Sequence, residues 1–543
     1  MALPIIPLAA LVLLFSLALY KYFIHAIYLS PLSRIPSAHW SSSLSALWIQ
    51  NKRRQQKETL AVHDAHVRLG PIVRIAPNDI SVNSVDGGIR TVYAGGYEKG
   101  DWYYNAFNNY GIMPMFSMPD HGTHSKRKRM LSNVYAKSTL QNSEAMNTIT
   151  EKLLNEDLVP RLREVSKKGE PVEFYNVFCA AAMDFVAAYV FGLKNASHFL
   201  QEPTMGAKFF RDYKARAAYT FWPQDMPRFT AFMSKLGLGH CLVPLWVNQA
   251  NQDIEAWLIA MCDKAEQTLQ HAELEGKKGQ VEDYPTVYAH LRNSLLKETQ
   301  TKSSTSPPAS QAVDSNRLAV ASEMLDHTLA GFDTSSIALT FLTYELSLPQ
   351  HAHWQRKLQA ELAPLNGSRD AKSLDALPIL HAILMETLRL HASIPGNQPR
   401  ITPANATLGA DRHTVTGLPP NVRVQAQAWS LHRNPDVFPD PEAWNPARWL
   451  ERSERSELEG NENGSTPEQL REMQRWFWAF GSGGRMCVGS NLAMLDMKAI
   501  IAGIWGSFGT VLVDGRGMVH NGGYVAEPVG WEGKFCLVRL EEL

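Results

Sequence analysis

The sequence has little excess charge and few cysteines. Lys and Arg together number 53, as do Asp and Glu, so the formal net charge is zero. Proteins that bind nucleic acids usually have a basic excess, so this balance argues against that class. Only 5 cysteines occur among 543 residues, and no two of them form a Cys-x-x-Cys pair. The low number excludes a disulfide-stabilised scaffold, and the spacing excludes a structural zinc site.

The sequence also lacks a G-x-G-x-x-G fingerprint, so the chain itself is not expected to bind NADPH or a flavin. Hydrophobic residues make up 45% and charged residues 20%, which is enough apolar material for a large folded core. Residues 120–300 have a mostly helical pattern. We predict a mainly α fold with a minor β region. Short strands are expected at 72–82 (a hairpin), 407–415, 422–428 and 534–540.

The N-terminus is a long apolar run. No charged side chain occurs before Lys21, and about 20 apolar residues span a bilayer as a helix. Positive charge follows the run, which by the positive-inside rule places the C-terminal bulk in the cytoplasm. A cleaved signal peptide would instead have a basic region before the run. We therefore predict a transmembrane anchor over residues 1–27 and a proline-containing connector over 28–40.

Two polar insertions interrupt the rest of the chain. Residues 297–316 are rich in Ser, Thr and Pro, and residues 451–468 are rich in Glu, Ser and Asn. Such compositions are typical of mobile surface loops. The motifs described next lie on both sides of each insertion, so we predict a single catalytic domain over residues 41–543.

The sharpest motif is a glycine-rich loop with one cysteine, Cys487, in the segment FGSGGRMCVG that begins at Phe480. A helical pattern follows. Backbone N–H groups of such a loop and the N-terminus of the helix both favour a thiolate. A Cys thiolate bound to haem iron favours O–O bond cleavage. Phe480 is expected to shield the sulfur, and Arg485 to meet a haem propionate. A buried structural cysteine is the alternative, and the better interpretation for Cys179, Cys241, Cys262 and Cys536.

The segment matches F-x-x-G-x-R-x-C-x-G at every fixed position, and the chain thereby resembles the cytochrome P-450 family of haem-thiolate monooxygenases. The resemblance covers nearly the whole chain and implies the fold of that family. It implies that Cys487 is the axial ligand of a haem b iron.

A second motif, AGFDTS, begins at Ala330 within a helical pattern over residues 316–346. Gly331 lacks a side chain in mid-helix, so a gap there is expected to admit a small ligand. Asp333 and Thr334 supply an acid and a hydroxyl beside the gap, as proton delivery to bound dioxygen requires. The resemblance implies catalytic roles for both, because the family has an acid–alcohol pair at this point. The alternative is a helix contact with an incidental Asp–Thr pair.

A third motif is Glu386-Thr-Leu-Arg389, whose spacing places both charges on one helix face. An exposed ion pair of little energetic value is the simplest interpretation. The resemblance instead implies a structural triad of Glu386, Arg389 and Arg448 behind the cysteine loop.

The resemblance also implies further propionate contacts. Arg400 is one candidate, with a solvent-exposed loop arginine as the alternative. Where many family members have W-x-x-x-R, this chain has His124-Ser-Lys-Arg-Lys128, so His124 and Lys128 are candidates, and Arg127 and Arg129 flank the second position. The basic run 126–129 could equally dock an acidic redox partner or form a solvated helix face.

The resemblance implies insertion of one oxygen atom from O2 into a small apolar organic substrate, by hydroxylation, epoxidation or a related oxidation. Electrons would come from NADPH through a separate flavoprotein reductase. The implied setting is fungal secondary metabolism at the endoplasmic reticulum membrane. Aromatic segments at 101–110 and 219–222 suit an apolar ligand, with core or lipid-facing packing as the alternative. Two other functions are left open: a haem-thiolate isomerase or dehydratase without net oxygen insertion, and a non-catalytic membrane haem-binding protein.

Overall fold

The computed structural model describes residues 5–275, 279–302, 309–452 and 464–543. An apolar helix (Ile5–Leu19) continues into π-helical turns (Tyr20–Leu29). Within it, the 21 residues Ala9–Leu29 are long and apolar enough to cross a membrane, and none of them is buried. This candidate anchor agrees with the predicted one, although it ends two residues later and residues 1–4 lie outside the described part.

The fold is mainly helical, as predicted. The α-helices are α1 (Ile5–Leu19), α2 (Leu47–Arg54), α3 (Glu58–Leu69), α4 (Asp101–Tyr104), α5 (His121–Leu131), α6 (Lys137–Gln141), α7 (Glu144–Lys152), α8 (Val159–Lys168), α9 (Phe174–Phe191), α10 (Pro203–Ala215), α11 (Phe221–Asp225), α12 (Pro227–Lys235), α13 (Leu245–Glu275), α14 (Thr286–Lys302), α15 (Ala309–Ser347), α16 (Ala352–Leu362), α17 (Ala371–Asp375), α18 (Pro378–Leu390), α19 (Ala428–Leu431), α20 (Pro467–Trp476) and α21 (Ser490–Trp505). Short 3₁₀ or π turns join many of them.

The minor β region consists of three small sheets. The strands are β1 (Ile72–Ala76), β2 (Asp79–Val82), β3 (Val172–Glu173), β4 (Arg400–Ile401), β5 (Ala406–Leu408), β6 (Val415–Leu418), β7 (Arg423–Gln425), β8 (Phe508–Asp514) and β9 (Leu537–Glu542). The sheet orders are β1-β2-β7-β4, β3-β9-β8 and β5-β6. The predicted hairpin over 72–82 is confirmed as the antiparallel pair β1–β2.

The core is built around α9 and α15. Helix α9 is apolar enough to pass a test for membrane spans, but 89% of it is buried, so it is a core helix. It packs closely along α15: a Cβ added at Gly331 would lie 2.8 Å from Val186 Cγ2. Helices α18 and α21 complete the main apolar cluster around them. The long α15 therefore crosses the centre of the protein and is held on several sides.

Several boundaries differ from the predictions. Helices α14 and α15 cover 297–302 and 309–316, so a loop over the whole of 297–316 is wrong; the Lys, Glu, Gln and Ala residues at its two ends are good helix formers. Residues 303–308 lie outside the described part, as do 453–463 of the second predicted insertion. That insertion ends at Thr466, which caps α20. The strand predicted at 407–415 is instead the pair β5–β6, because Gly409 (φ +84°) and a short 3₁₀ turn interrupt it.

Candidate functional site

Two glycines shape the backbone of the cysteine loop. Gly481 and Gly483 have φ near +69° and +70°, a region that L side chains rarely adopt. A Cβ at Gly483 would also lie 2.5 Å from the Tyr93 carbonyl oxygen, so only glycine fits there. The Cys487 N–H donates to the Phe480 carbonyl oxygen at 2.9 Å, which closes the loop just before α21. The half-buried Phe480 packs against the main core from this position.

Cys487 faces an enclosed space. The residue has accessible surface, unlike Cys179, Cys262 and Cys536, which are buried. Burial nevertheless raises the pKa of its thiol, while the Gly489 backbone and the Lys128 charge oppose that rise. An accessible sulfur that surrounding atoms still desolvate indicates an internal cavity. Cys241 is exposed as well, so its predicted burial is wrong: it lies in a short turn at the surface.

One face of α15 lines the same cavity. Ala330 is exposed and Thr334 half-buried, although Phe332 and most other neighbours in this central helix are buried. Residues four apart share a helix face. Asp326, one turn earlier on this face, is among the groups whose charge acts on the Cys487 thiol. The cysteine loop and this helix face therefore border one space.

The structural requirement for glycine at position 331 differs from the expected one. Its missing side chain would point at Val186 of α9, where a Cβ would come within 2.8 Å. Glycine is needed here for the close approach of two core helices. The predicted gap for a small ligand is thus not what the absent side chain provides.

Asp333 is held in a polar network on the side of α10. Its carboxylate pairs with the Lys214 ammonium and accepts a hydrogen bond from the Tyr213 hydroxyl at 3.4 Å. Lys214 also pairs with Glu527 at 3.1 Å and donates to the Tyr175 hydroxyl. Although burial opposes it, the Asp333 charge raises the pKa of Lys214 well above its usual value. The acid and Thr334 are adjacent in sequence, but only Thr334 shares the cavity-facing side with Ala330.

The Thr334 side chain is positioned by its own helix. Its hydroxyl donates to the Ala330 carbonyl oxygen at 2.9 Å. Ser393 in turn donates to the Thr334 carbonyl oxygen at 2.6 Å, which ties α15 to the segment after α18. The hydroxyl oxygen keeps its acceptor capacity towards the cavity.

The predicted triad forms and is buried, so the surface ion pair is ruled out. Arg389 binds both carboxylate oxygens of Glu386 at 2.8 Å, and neither side chain is exposed. Arg448 Nε donates to the same carboxylate at 3.0 Å. Trp449 Nε1 and the Asn445 N–H donate to it too, at 2.9 and 2.8 Å. All charges in this cluster are thus satisfied by protein groups.

His432 connects this triad to the cysteine loop, a role that sequence analysis missed. Arg389 donates to the His432 carbonyl oxygen, and His432 Nδ1 lies 2.8 Å from the Arg389 carbonyl oxygen. Nε2 must accept, because the Trp478 N–H donates to it at 2.7 Å. Burial lowers the pKa of His432 to about 3, which matches a neutral ring with Nδ1 as the donor. Trp478 lies two residues before Phe480, so the loop begins at a fixed point.

Three buried or half-buried cations lie together at another edge of the cavity, and we call them the cationic cluster: Lys99, Arg400 and Arg485. Arg485 donates to the carbonyl oxygens of Met118 and Pro119 at 2.5 and 2.7 Å. Arg400 donates to the Tyr103 hydroxyl at 2.7 Å and is 4% exposed, which excludes a solvent-exposed arginine.

The cations of this cluster repel one another. Burial, followed by the Arg400 charge, lowers the pKa of Arg485 to about 10. Burial and both arginines lower the pKa of Lys99 far below its usual value. None of the three has an ion-pair partner within the described ranges. Lys99 was missed because Glu98-Lys99-Gly100 resembles an ordinary surface turn.

The four propionate candidates on α5 differ in their surroundings. His124 is buried beside the cationic cluster: burial and the charges of Arg485 and Lys99 lower its pKa to about 3. Arg127 pairs with Glu323 at 3.3 Å. Lys128 donates to the carbonyl oxygens of Gly484 and Met486 at 2.9 and 3.1 Å, so it braces the cysteine loop. Arg129 is exposed. Of these four side chains, therefore, only His124 lies beside the cationic cluster.

Aromatic side chains from the segment around α4 and from the C-terminal part of the chain pack together near the cationic cluster. This aromatic cluster consists of Trp102, Tyr103, Phe107, Phe116 and Tyr524, with ring centroids 4.9 to 6.5 Å apart. Residues 219–222 belong elsewhere: Tyr219 packs on Trp246, and Trp222 on Phe221 and Phe229. The packing alternative thus fits that second segment.

The residues around the cavity fit a haem. An accessible cysteine sulfur lies on one side, a helix face with small side chains on the other, and unpaired cations at the edge suit two propionates. Within the described residues, no group of three or more His, Cys, Asp or Glu side chains forms a separate metal site.

Comparison with known proteins agrees with this geometry. The family model for cytochrome P-450 matches residues 40–518. The chain is 28% identical over 444 residues to the cytochrome P-450 monooxygenase avaI of Aspergillus versicolor, covering 80% of this chain and 94% of that protein. It is 25% identical over 510 residues to tryprostatin B 6-hydroxylase of Aspergillus fumigatus, covering 92% and 78%.

A third relative, the cytochrome P-450 monooxygenase stcB of Emericella nidulans, is 26% identical over 501 residues, covering 88% of this chain and 81% of that protein. Because the family model spans most of the sequence, and because the relatives align over most of both chains, the predicted resemblance is confirmed: the chain belongs to the cytochrome P-450 monooxygenase family.

Proposed function

We propose that this protein inserts one oxygen atom from O2 into a small, largely apolar organic substrate, by hydroxylation, epoxidation or a related oxidation. The main support is the cavity bordered by the accessible Cys487 and by the Ala330–Thr334 face of α15. The aromatic cluster over this cavity favours an apolar or aromatic substrate. Relatives named as monooxygenases in Aspergillus species are consistent with a role in fungal secondary metabolism.

In this proposal the Cys487 sulfur would bind haem iron, and Arg400, Arg485, Lys99 and His124 would hold the propionates. When bound, the haem supplies the redox chemistry that activates O2. The cations bind the propionates by charge-assisted hydrogen bonds, which also remove the repulsion within the cationic cluster. Lys128 keeps the loop carbonyls, and so the Cys487 backbone, in place through its two hydrogen bonds.

Thr334 and Asp333 are the proposed proton-delivery residues. The Thr334 hydroxyl oxygen would accept a hydrogen bond on the cavity side, while its own hydrogen is directed at the Ala330 carbonyl oxygen. The Asp333 carboxylate pairs with the Lys214 ammonium, which also pairs with Glu527. The Glu527 side chain is 23% exposed, so this ion-pair network extends from Asp333, the acid next to Thr334, towards solvent.

Electrons come from NADPH through a separate flavoprotein reductase, and the apolar Ala9–Leu29 helix anchors the protein in the endoplasmic reticulum membrane with the catalytic part in the cytoplasm. Lys126 and Arg129 are the exposed members of the basic run on α5 and are candidates for contacts with an acidic partner surface.

The thiolate ligand is tested by the carbon monoxide difference spectrum of the reduced holoprotein. The wild type should show the red-shifted Soret band typical of thiolate-ligated haem. The Cys487→Ala variant should lose that band, and the Cys241→Ala variant should keep it, because Cys241 is exposed far from the loop in sequence. Retention of the band in Cys487→Ala would contradict the assigned ligand.

The stoichiometry of the reaction separates the proposal from its alternatives. With substrate, a reductase and NADPH, a monooxygenase consumes O2 and NADPH in step with an oxidised product that contains one atom of labelled oxygen. An isomerase or dehydratase would form product without labelled oxygen. A non-catalytic haem-binding protein would form none.

A further inference from the structure

Asp326 is an acid in an unusual place on α15. Between Ala321 and Thr328 it is the one residue that is not buried. It lies four residues before Ala330 and eight before Thr334, on the face that borders the cavity. Neither the cysteine loop, the triad nor the Asp333 network uses this side chain.

No side chain of the described residues neutralises Asp326 by a hydrogen bond or ion pair. The nearest buried cation, Lys99, has its ammonium directed at the Phe116 carbonyl oxygen and stacked on the rings of Tyr103 and Phe116, at 4.1 and 3.9 Å. His327 and Glu323 are the titratable neighbours of Asp326 on α15. Burial raises the pKa of Asp326 to about 7, and His327 and Lys99 only partly offset this. A carboxylate in this position therefore needs a partner.

The aromatic cluster lies next to this carboxylate. The segment that contains Phe107 and Phe116 is fixed to α15 one turn before Asp326: Asn109 donates to the Ser322 carbonyl oxygen at 3.2 Å, and the Met115 N–H donates to Glu323 at 3.0 Å. Tyr524 closes the other side and is near enough for the Asp326 charge to act on its hydroxyl. An acid near several aromatic rings is an arrangement that suits an organic cation.

We propose that Asp326 binds a protonated amine of the substrate and that the aromatic cluster packs around its alkyl groups. The inference rests on the proposed function, because it takes the space above Cys487 as the substrate cavity. It narrows the substrate class from apolar compounds in general to apolar compounds that contain a basic nitrogen.

The test uses two probes of nearly equal shape. N,N-dimethyl(phenylpropyl)amine is a cation near neutral pH, and isohexylbenzene has a CH group in place of the nitrogen. Binding of each to the haem-loaded full chain in detergent is measured by isothermal titration calorimetry. The variants are Asp326→Asn, Asp326→Glu and Asp326→Leu, and the matched control is Asp263→Asn, which removes an exposed acid that pairs with Arg317.

The wild type, Asp326→Glu and Asp263→Asn should bind the amine at least about tenfold more tightly than the hydrocarbon, since a charge-assisted contact is lost with the latter. Asp326→Asn and Asp326→Leu should lose that preference without weakening hydrocarbon binding. Equal binding of the two probes by the wild type, or an unchanged preference in the Asn and Leu variants, would overturn the inference. The wild-type comparison decides this even if a variant does not fold. The carbon monoxide spectrum tests the Cys487 ligand and does not depend on amine binding. Absence of an amine preference would therefore not contradict the thiolate assignment.

Discussion

Two charged clusters flank the Cys487 loop, and they differ in whether the protein satisfies their charges. Glu386 receives hydrogen bonds from Arg389 and Arg448 in a fully buried site. The cationic cluster has only carbonyl, hydroxyl and ring partners within the part of the chain that is described. Because buried unpaired charge is destabilising, the first arrangement stabilises the fold by itself, and the second is completed only by an anionic ligand.

The largest expected change in stability follows from disrupting the triad. Glu386→Gln leaves two buried arginines without a counter-charge and should lower the free energy of unfolding by about 3–5 kcal/mol. Glu468→Gln is the matched control, since Glu468 pairs with Arg471 and both side chains are exposed. Urea unfolding of both variants measures the difference. Similar small effects would mean that the triad is not a stabilising cluster.

The link between triad and loop comes next. His432→Phe keeps the stacking on Phe477 but leaves the buried Trp478 N–H without an acceptor. Loss of such a hydrogen bond costs about 2 kcal/mol. We also expect a smaller fraction of thiolate-type carbon monoxide complex than in the wild type, because the loop starts at Trp478. If the variant is destabilised but its spectrum is unchanged, His432 stabilises the fold without positioning the cysteine loop.

Removing a charge from the cationic cluster should raise the stability of the haem-free protein, whereas removing one from the triad should lower stability. Lys99→Met removes a buried, unpaired ammonium, so the haem-free protein should become more stable by about 1 kcal/mol. Haem affinity, measured by transfer of haem to apomyoglobin, should fall at the same time. Opposite signs for apoprotein stability and haem affinity distinguish a ligand-binding cation from a structural one. If Lys99→Met instead lowers the stability of the haem-free protein, Lys99 has a structural role like that of the triad arginines.

The smallest effect at neutral pH concerns two buried histidines, whose influence on stability grows only as the pH falls. Burial lowers the pKa values of His124 and His432 to about 3 in the folded chain. The unfolded chain therefore binds more protons between about pH 6.5 and pH 3, and stability present above that range is lost as pH falls through it. Each histidine contributes at most about 1.4 kcal/mol per pH unit. Replacing His124 by Gln should flatten the acid limb of the stability curve, whereas the exposed His271→Gln should not.

Motifs predicted the centre of the site better than its edges. Cys487, Thr334 and Glu386 belong to fixed spacings whose chemistry is recognisable in the sequence, and the structure brings the first two to one cavity and buries the third. Lys99, Asp326 and His432 belong to no such spacing. Each becomes notable only through its surroundings: two rings around an ammonium, a cavity beside a carboxylate, a backbone N–H facing an imidazole.

Gly331 and Lys128 show that a sequence motif does not fix the contacts that its residues make. The sequence indicates that Gly331 lacks a side chain, but only the packing of α9 on α15 reveals that Val186 occupies the side where one would project. In the same way Lys128 is a cation at the expected spacing, yet its ammonium meets two loop carbonyls. The direction of a side chain depends on the neighbouring helix, which local sequence does not encode.

The sequence alone determined the cysteine motif, the apolar N-terminal helix and the mainly helical fold, because each depends on local spacing or composition; the family resemblance added Arg448 to the Glu386–Arg389 pair. Tertiary structure decided which charges are paired. Ion pairing depends on distances between segments far apart in the chain, and it separates the satisfied triad from the unpaired cations and from Asp326. The same proximity joins Asp333 to Lys214 across two helices and leaves Asp326 facing the cavity alone.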